Sequence, residues 1–166
     1  MPLSRMIAAL AGWLLTSGAG MAQTTAPTAK LTLGTATAGG GFPVYGDAFA
    51  AAIKSADPSL AIEPRNTRGS AENIPLLEAG RLDLALVQGE SAYAALNGIG
   101  RAPADLRVVS AMYASPGMFV VKAASPARSI ADLVGKPVAF GAAGSGLVIL
   151  ARYVLDGLGL DQWADF

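Results

Sequence analysis

Three times along this chain a β-rich stretch runs into a turn of small residues, and the turn runs straight into a helix with an apolar face. Lys30–Gly34 (KLTLG) alternates and predicts a strand, Thr35–Gly41 (TATAGGG) is a glycine-rich loop, and Pro43–Ser55 carries Val44, Ala48, Phe49 and Ile53 near helical spacing. Leu60–Asn66 (LAIEPRN) predicts a second strand, weakened by Pro64, and leads through Thr67-Arg68-Gly69-Ser70 into a short helix. Ser70 suits a helix cap, Asn73 three residues on suits the returned hydrogen bond, Ile74 and Leu77 give the apolar side, and Gly80 ends the helix. Pro137–Gly141 predicts another strand. Gly141–Gly146 (GAAGSG) then opens a helix over Ser145–Leu158, with Leu147, Leu150, Tyr153, Val154 and Leu158 on one side and Gly159 after it. Strands joined through helices need crossover connections, so this pattern points to a mostly parallel sheet.

The intervening residues fit the same plan. Leu82–Gln88 (LDLALVQ) is an apolar run of buried-strand type, and Ser91–Leu96 is a short helix ended by Asn97-Gly98. Leu106–Tyr113 and Met118–Lys122 predict two strands around a Ser115-Pro116-Gly117 turn, and Ile130–Val134 predicts one helical turn. The expected fold class is α/β, ordered β-α-β-α-β-α-β-β-α-β-α, with helices on both faces of the sheet. No internal repeat is present. A chain of 166 residues suffices for one domain, or one and part of another. It halts at Asp161–Phe166 (DQWADF), just after a helix, where such a fold would supply its next strand. An incomplete chain is therefore expected, with a natural short form as the alternative.

The N-terminus reads as an address. Arg5 gives a short positive region, Met6–Leu15 is an apolar stretch, and Thr16–Ala22 is small and polar with Gly20 and Ala22 at the −3 and −1 positions of a cleavage site. A membrane span needs about 20 apolar residues, more than this stretch offers. Residues 1–22 are thus expected to be a signal peptide cleaved after Ala22, and 23–29 a disordered lead-in to a periplasmic protein. An uncleaved anchor or a buried helix are the competing readings. The chain has no cysteine and no histidine. That excludes disulfides, thiolate catalysis, histidine-dependent triads and a cysteine-borne lipid anchor. Its 12 basic side chains balance its 12 acidic ones, which argues against a nucleic-acid partner.

The three glycine-rich turns share one chemistry. Each sets small residues and free backbone N–H groups at a helix N-terminus, where orphan donors and the helix dipole favour an anion. In open α/β sheets such turns lie at the carboxyl ends of strands, where ligands bind. None is a nucleotide signature. GTATAGGG lacks G-x-G-x-x-G spacing, and Gly141–Gly146 lacks the Lys-[Ser/Thr] of a P-loop. Ser145 does not sit in G-x-S-x-G, and only a Ser-Lys arrangement with Lys122 or Lys136 stays formally open. Arg65 and Arg68 flank the second turn, suited either to clamp a carboxylate or to sit as solvated charges at a strand end. Gln88 ends an apolar strand and Glu90 starts the next helix. Phe42, Tyr45, Tyr93 and Tyr113 are candidates to wall a pocket, core packing or plain exposure being the alternatives.

The order of these motifs resembles the TAXI-type solute receptors of tripartite ATP-independent periplasmic (TRAP) transporters, which are related to NMT1-like periplasmic proteins. The matching segments are Leu31–Ala50, Asn66–Tyr93 and Ser129–Leu160, with Gly69–Gln88 and Asp132–Gly146 the most specific. The resemblance implies a type II periplasmic binding protein, a two-lobed Venus flytrap. Residues 30–106 would form lobe one, 107–122 the crossover, and 123–166 the start of a truncated lobe two. It implies a monomeric receptor that captures a small organic anion, a carboxylate or amino-acid-like molecule, and delivers it to a TRAP permease. No enzymatic activity, cofactor or metal is implied. By motif position Thr35, Gly40, Gly41, Ser70, Asn73, Gln88, Gly144, Ser145 and Gly146 would face the ligand. Gly41-Phe42-Pro43-Val44 departs from the family's Thr-Tyr-Tyr-Pro stretch, so Tyr45 is expected to replace the aromatic wall, and Arg68 joins the set as an anion contact. The receptor of an ABC importer, an enzyme on the same fold and a free-standing scavenger are the alternatives. On export from a bacterial host the protein should begin at Gln23. Intact-mass measurement checks this, and a chain that keeps Met1–Ala22 refutes the signal-peptide reading.

Overall fold

The computed structural model describes residues 29–114 and 116–166. The expected signal peptide and all of the lead-in except Ala29 lie outside the described residues.

The sheet forms where the sequence alternates. β1 (Ala29–Gly34) pairs in parallel with β2 (Leu60–Arg65) along its whole length, and more briefly with β3 (Leu84–Ala85), in the order β2-β1-β3. Pro64 is tolerated for a positional reason. The Thr35 N–H donates to the Arg65 carbonyl at 2.9 Å, so Arg65 faces β1 and the preceding Pro64 turns its missing donor to the outer edge. The chain leaves β1, forms β2 on one side, and returns past β1 to β3 on the other. Right-handed crossovers then place the two connecting helices on opposite faces.

The side chains of β1 show both faces. Leu33 packs with Ile62 and Leu86 under Phe42, Tyr45, Phe49, Ala50 and Ile53 of α1 (Gly41–Ala56). Each fully buried aliphatic side chain of this kind contributes about 2 kcal/mol. Gly34, the next residue, faces the other way, beneath α2 (Ser70–Glu78). There Ile74, Ala95 and Ala104 form a second cluster with Val87 and Leu106, joining α2 to α3 (Gly89–Asn97). The last helix, α4 (Gly146–Gly157), packs on α3. Helices α2, α3 and α4 each end at the glycine that the sequence marks as a stop. Gly80, Gly98 and Gly159 have φ of 63°, 70° and 70°, and the N–H groups of Arg81, Ile99 and Leu160 reach back to Leu76, Ala94 and Leu155.

β3 pairs over only two residues, against the seven-residue apolar run that the sequence offers. A carboxylate supplies what the ladder lacks. Asp83 Oδ2 accepts from Thr32 N–H at 2.7 Å and from Thr32 Oγ1 at 2.8 Å, while the Asp83 N–H donates to Thr32 Oγ1 at 3.1 Å. Three expected strands are corrected. Leu106–Tyr113, Met118–Lys122 and Pro137–Gly141 join no ladder among the described residues. Their alternation specifies extended backbone, but a strand exists only against a neighbour, and Val109 and Val120 stand more than four-fifths exposed. Ile130–Val134 shortens to a 3-10 turn at Ala131–Leu133.

Two outcomes follow from this packing. A Cβ on Gly34 would lie 2.5 Å from Leu82 Cδ1 and 2.8 Å from Asn73 Oδ1. Gly34→Ala should therefore destabilise the fold by about 1–3 kcal/mol in urea denaturation. The Thr32 backbone N–H first, and its hydroxyl second, hold the Asp83 carboxyl below its ordinary pKa. A depressed folded value means that stability is full above the unfolded pKa of about 3.9 and is lost as pH falls through the folded value. Asp83→Asn should flatten that part of the acid limb and leave the curve near pH 7 parallel. An unchanged acid limb would show that the clip carries no linkage.

Candidate ligand-binding site

The switch point, where the chain reverses across β1, is closed by one side chain. Asn73 is fully buried, and its Nδ2 donates to the Thr35 carbonyl at 2.8 Å and to the Leu86 carbonyl at 2.9 Å. These carbonyls lie just past the paired ends of β1 and β3. One amide thus ties together two strand ends that twist would otherwise splay. Leu82 and Asn73 together occupy the space that a side chain on Gly34 would need.

The start of α2 differs from the sequence expectation. Ser70 does not cap the helix. Gly69, at φ 110°, occupies the cap position and its carbonyl accepts from the N–H groups of Glu72 and Asn73. Ser70 Oγ instead accepts from the Gln88 N–H at 3.0 Å. Both side chains turn toward the strand ends because buried backbone groups there have no water to fall back on, whereas exposed helix donors do. Glu72 supplies the capping carboxylate. Its Oε2 accepts from the Arg68 N–H at 2.6 Å, and that bond, ahead of the Arg68 charge, holds its pKa below the usual range.

The third turn docks on this one. The Ala71 N–H, a free donor of the α2 N-terminus, donates to the Gly144 carbonyl at 3.1 Å. A Cβ on Gly69 would come within 3.2 Å of Ser145 Cα. A Cβ on Gly146 would lie 2.5 Å from Gln88 Oε1 and 2.7 Å from Ser70 Oγ, and one on Gly144 would meet Arg68 Cβ at 3.2 Å. The turns at 67–70 and 141–146 therefore form a backbone-to-backbone seam that only glycine permits. Ser145 Oγ is buried in it without a hydrogen-bond partner among the described residues, as is Asn73 Oδ1.

Arg68, Ser70, Asn73, Gln88, Gly144, Ser145 and Gly146 thus come together at one seam, and Thr35 joins them through Asn73. Thr35 is fully buried and donates its hydroxyl to the Arg65 carbonyl at 3.0 Å. Thr67, which the sequence reading passed over as a site residue, bridges the group. Its hydroxyl donates to the Thr35 carbonyl at 3.2 Å and accepts from the Gly69 N–H at 3.1 Å. The Thr-x-Gly pattern of a side-chain turn was the available signal. Gly40, Gly41 and Tyr45 stand at the first turn of α1. Gly40 caps that helix through its backbone, Gly41 faces open space, and Tyr45 lies against Phe49 and Tyr113 with ring centroids 6.4 and 5.4 Å away.

Among the described residues no N-cap residue bonds its own helix through its side chain, so backbone N–H groups at the starts of α1, α3 and α4 are placed to meet an anion. Beside the seam, a groove of about 540 Å³ runs between α2 and α3 on one side and α4 on the other. Among the described residues no group of three acidic side chains is placed to hold a metal ion.

A parallel α/β unit that brings the starts of α2, α3 and α4 together at its switch point has the architecture in which open sheets bind ligands. Comparison with protein families agrees with that architecture. The model of the NMT1-like family matches residues 33–166, and the chain belongs to that family. It is generally a family of binding proteins, typically periplasmic, with small-molecule ligands and transporters as partners.

Asn73→Ala removes the only side-chain donor to the Leu86 carbonyl among the described residues. The cost should be about 2–3 kcal/mol, read as an earlier unfolding midpoint. An unchanged midpoint would show that the strand ends do not need the tie.

Proposed function

We propose that this chain is the leading part of an extracytoplasmic, TAXI-type receptor that captures a small organic anion and hands it to a TRAP permease. In this reading residues 30–106 belong to lobe one, 107–122 cross over, and 123–166 open lobe two. The observation that carries the proposal is the seam. Two glycine turns far apart in sequence, one in each proposed lobe, approach until Ala71 bonds to Gly144. A hinged receptor needs such a surface. Both lobes sample open and closed arrangements, and a ligand that touches both favours closure by its differential affinity. A carboxylate loses water on closure and must meet several donors. The free N–H groups at the starts of α1, α3 and α4, with Gln88, Ser145 and Arg68 beside them, are the donors in this reading. Thr35, Ser70 and Asn73 support them from behind, since their hydrogen bonds go to the strand ends. The receptor binds its ligand without transforming it, acts as a monomer, and meets the permease in the closed form.

The test is native mass spectrometry of the exported protein. A small anionic adduct should accompany the parent. Ser145→Pro, which deletes the N–H that donates to Ala142, and Gly146→Val, which forces the seam apart, should each weaken retention at least tenfold, or about 1.4 kcal/mol. Uptake of that anion into cells should then require a co-expressed TRAP permease. Dependence on an ATPase instead would move the receptor to an ABC importer, and turnover of the anion would make the protein an enzyme.

A further inference from the structure

We propose that Arg101 and Asp156 form a latch across the groove beside the seam, an ion pair made when α4 swings onto the turn that follows α3. The latch rests on the preceding reading, because it needs two lobes that move, and it concerns how that motion is regulated rather than what is bound. The turns at 67–70 and 141–146 already touch, while the groove next to them holds about 540 Å³. A pivot about the seam is the motion that narrows such a wedge. Ile74, Ile99 and Ile149 face the groove, so narrowing it also removes apolar surface from water.

The two charges line opposite sides of the groove. Arg101 lies in the turn after α3 and is held in place. Its Nε donates to the Ala102 carbonyl at 3.0 Å, and its Nη2 donates to both carboxylate oxygens of Glu78, the last residue of α2, at 2.5 and 2.7 Å. Its Nη1 has no partner among the described residues. A planar guanidinium already fixed on one edge loses little freedom when its other edge takes a second carboxylate. Asp156 is the one acidic side chain lining the groove, is exposed, and forms no ion pair among the described residues. Its neighbour on α4 is Arg152, four residues earlier. Arg152 lies instead over the Tyr153 ring, 5.6 Å from the centroid, and basic before acidic is the weaker order for such a helical pair. Closure thus brings a free carboxylate to a free guanidinium edge, and with Glu78 and Arg152 beside them the four charges balance. A ligand's apparent affinity scales with the share of protein already in the competent arrangement, so the latch raises affinity without touching the ligand.

The chain has no cysteine, so introduced cysteines carry spin labels at chosen positions only. Lys54→Cys on α1 and Ala164→Cys beyond α4 are exposed and outside the groove. The experiment reads the distance between labels at these two positions by pulsed electron paramagnetic resonance, in the full exported chain with no ligand added. Two distances are expected, one for each arrangement of the lobes. Asp156→Asn should lower the closed-to-open ratio about threefold, the scale of an exposed ion pair. In the parent, 1 M NaCl should do the same, and in the variant salt should change nothing further. In an Arg101→Gln background Asp156→Asn should have no effect. An unchanged ratio in Asp156→Asn overturns the latch. So does an effect that survives Arg101→Gln, which would assign the carboxylate to Arg152. The two readings fail separately. A single distance in the parent removes the latch together with the hinged receptor, whereas two distances that Asp156→Asn leaves alone remove the latch and leave the receptor standing.

Discussion

The amide of Asn73 holds the reversal point of this sheet together. Parallel strands diverge at their ends, and here β1 and β3 share only a two-residue ladder before the chain leaves for its turns. Two hydrogen bonds from one buried nitrogen, to Thr35 and Leu86, stand in for the missing rungs. Much else depends on that placement. Asn73 and Leu82 fill the space above Gly34, and Ser70, one helical turn before Asn73, is brought to the Gln88 N–H. At the opposite end of the short strand Asp83 clips onto Thr32, so β3 is fixed at both ends by side chains more than by its own ladder.

The glycines serve two physical needs that look alike in sequence. Gly80, Gly98 and Gly159 provide left-handed backbone at helix ends. Gly146 is helical and needs no special backbone angle. Its requirement is space, because Gln88 and Ser70 fill the volume that a Cβ would take. Gly69 and Gly144 meet both needs at once. The seam is therefore intolerant of side chains on either turn, and its contacts are backbone and small polar groups, the kind that form and release without repacking a core.

Half of the exposed large apolar residues among the described residues lie between Val108 and Val121. Val108, Val109, Met118 and Val120 belong to extended segments that join no ladder among the described residues, and Trp163 is exposed near the C-terminus. The core beneath α1, by contrast, is well covered. Unpaired extended valines are the edge that templates pairing with another strand. That contrast separates the βαβαβα unit, which satisfies itself, from the residues after Leu106, which meet it through the glycine seam, the packing of α4 on α3 and the Tyr45–Tyr113 contact, and one another through aromatic pairs such as Phe119 with Phe140 and Phe140 with Phe166.

The sequence by itself determined the class of fold, the positions of β1, β2 and the four helices to within about two residues, and the glycine stops, because these follow from local periodicity and local backbone preference. It also marked out the turns that meet at the seam, since small residues between strand and helix leave a legible trace. It misread Ser70 and Asn73 as a local capping pair. Local reasoning gives a serine at a helix start to that helix, while the fold gave it to Gln88, eighteen residues away. Three expected strands failed for the same reason, as pairing is a property of two segments and the pattern of one cannot supply the other. Only the tertiary structure decided which glycines needed space and that the turns at 67–70 and 141–146 would meet. Those facts depend on which atoms arrive from distant parts of the chain, and no window of sequence contains them.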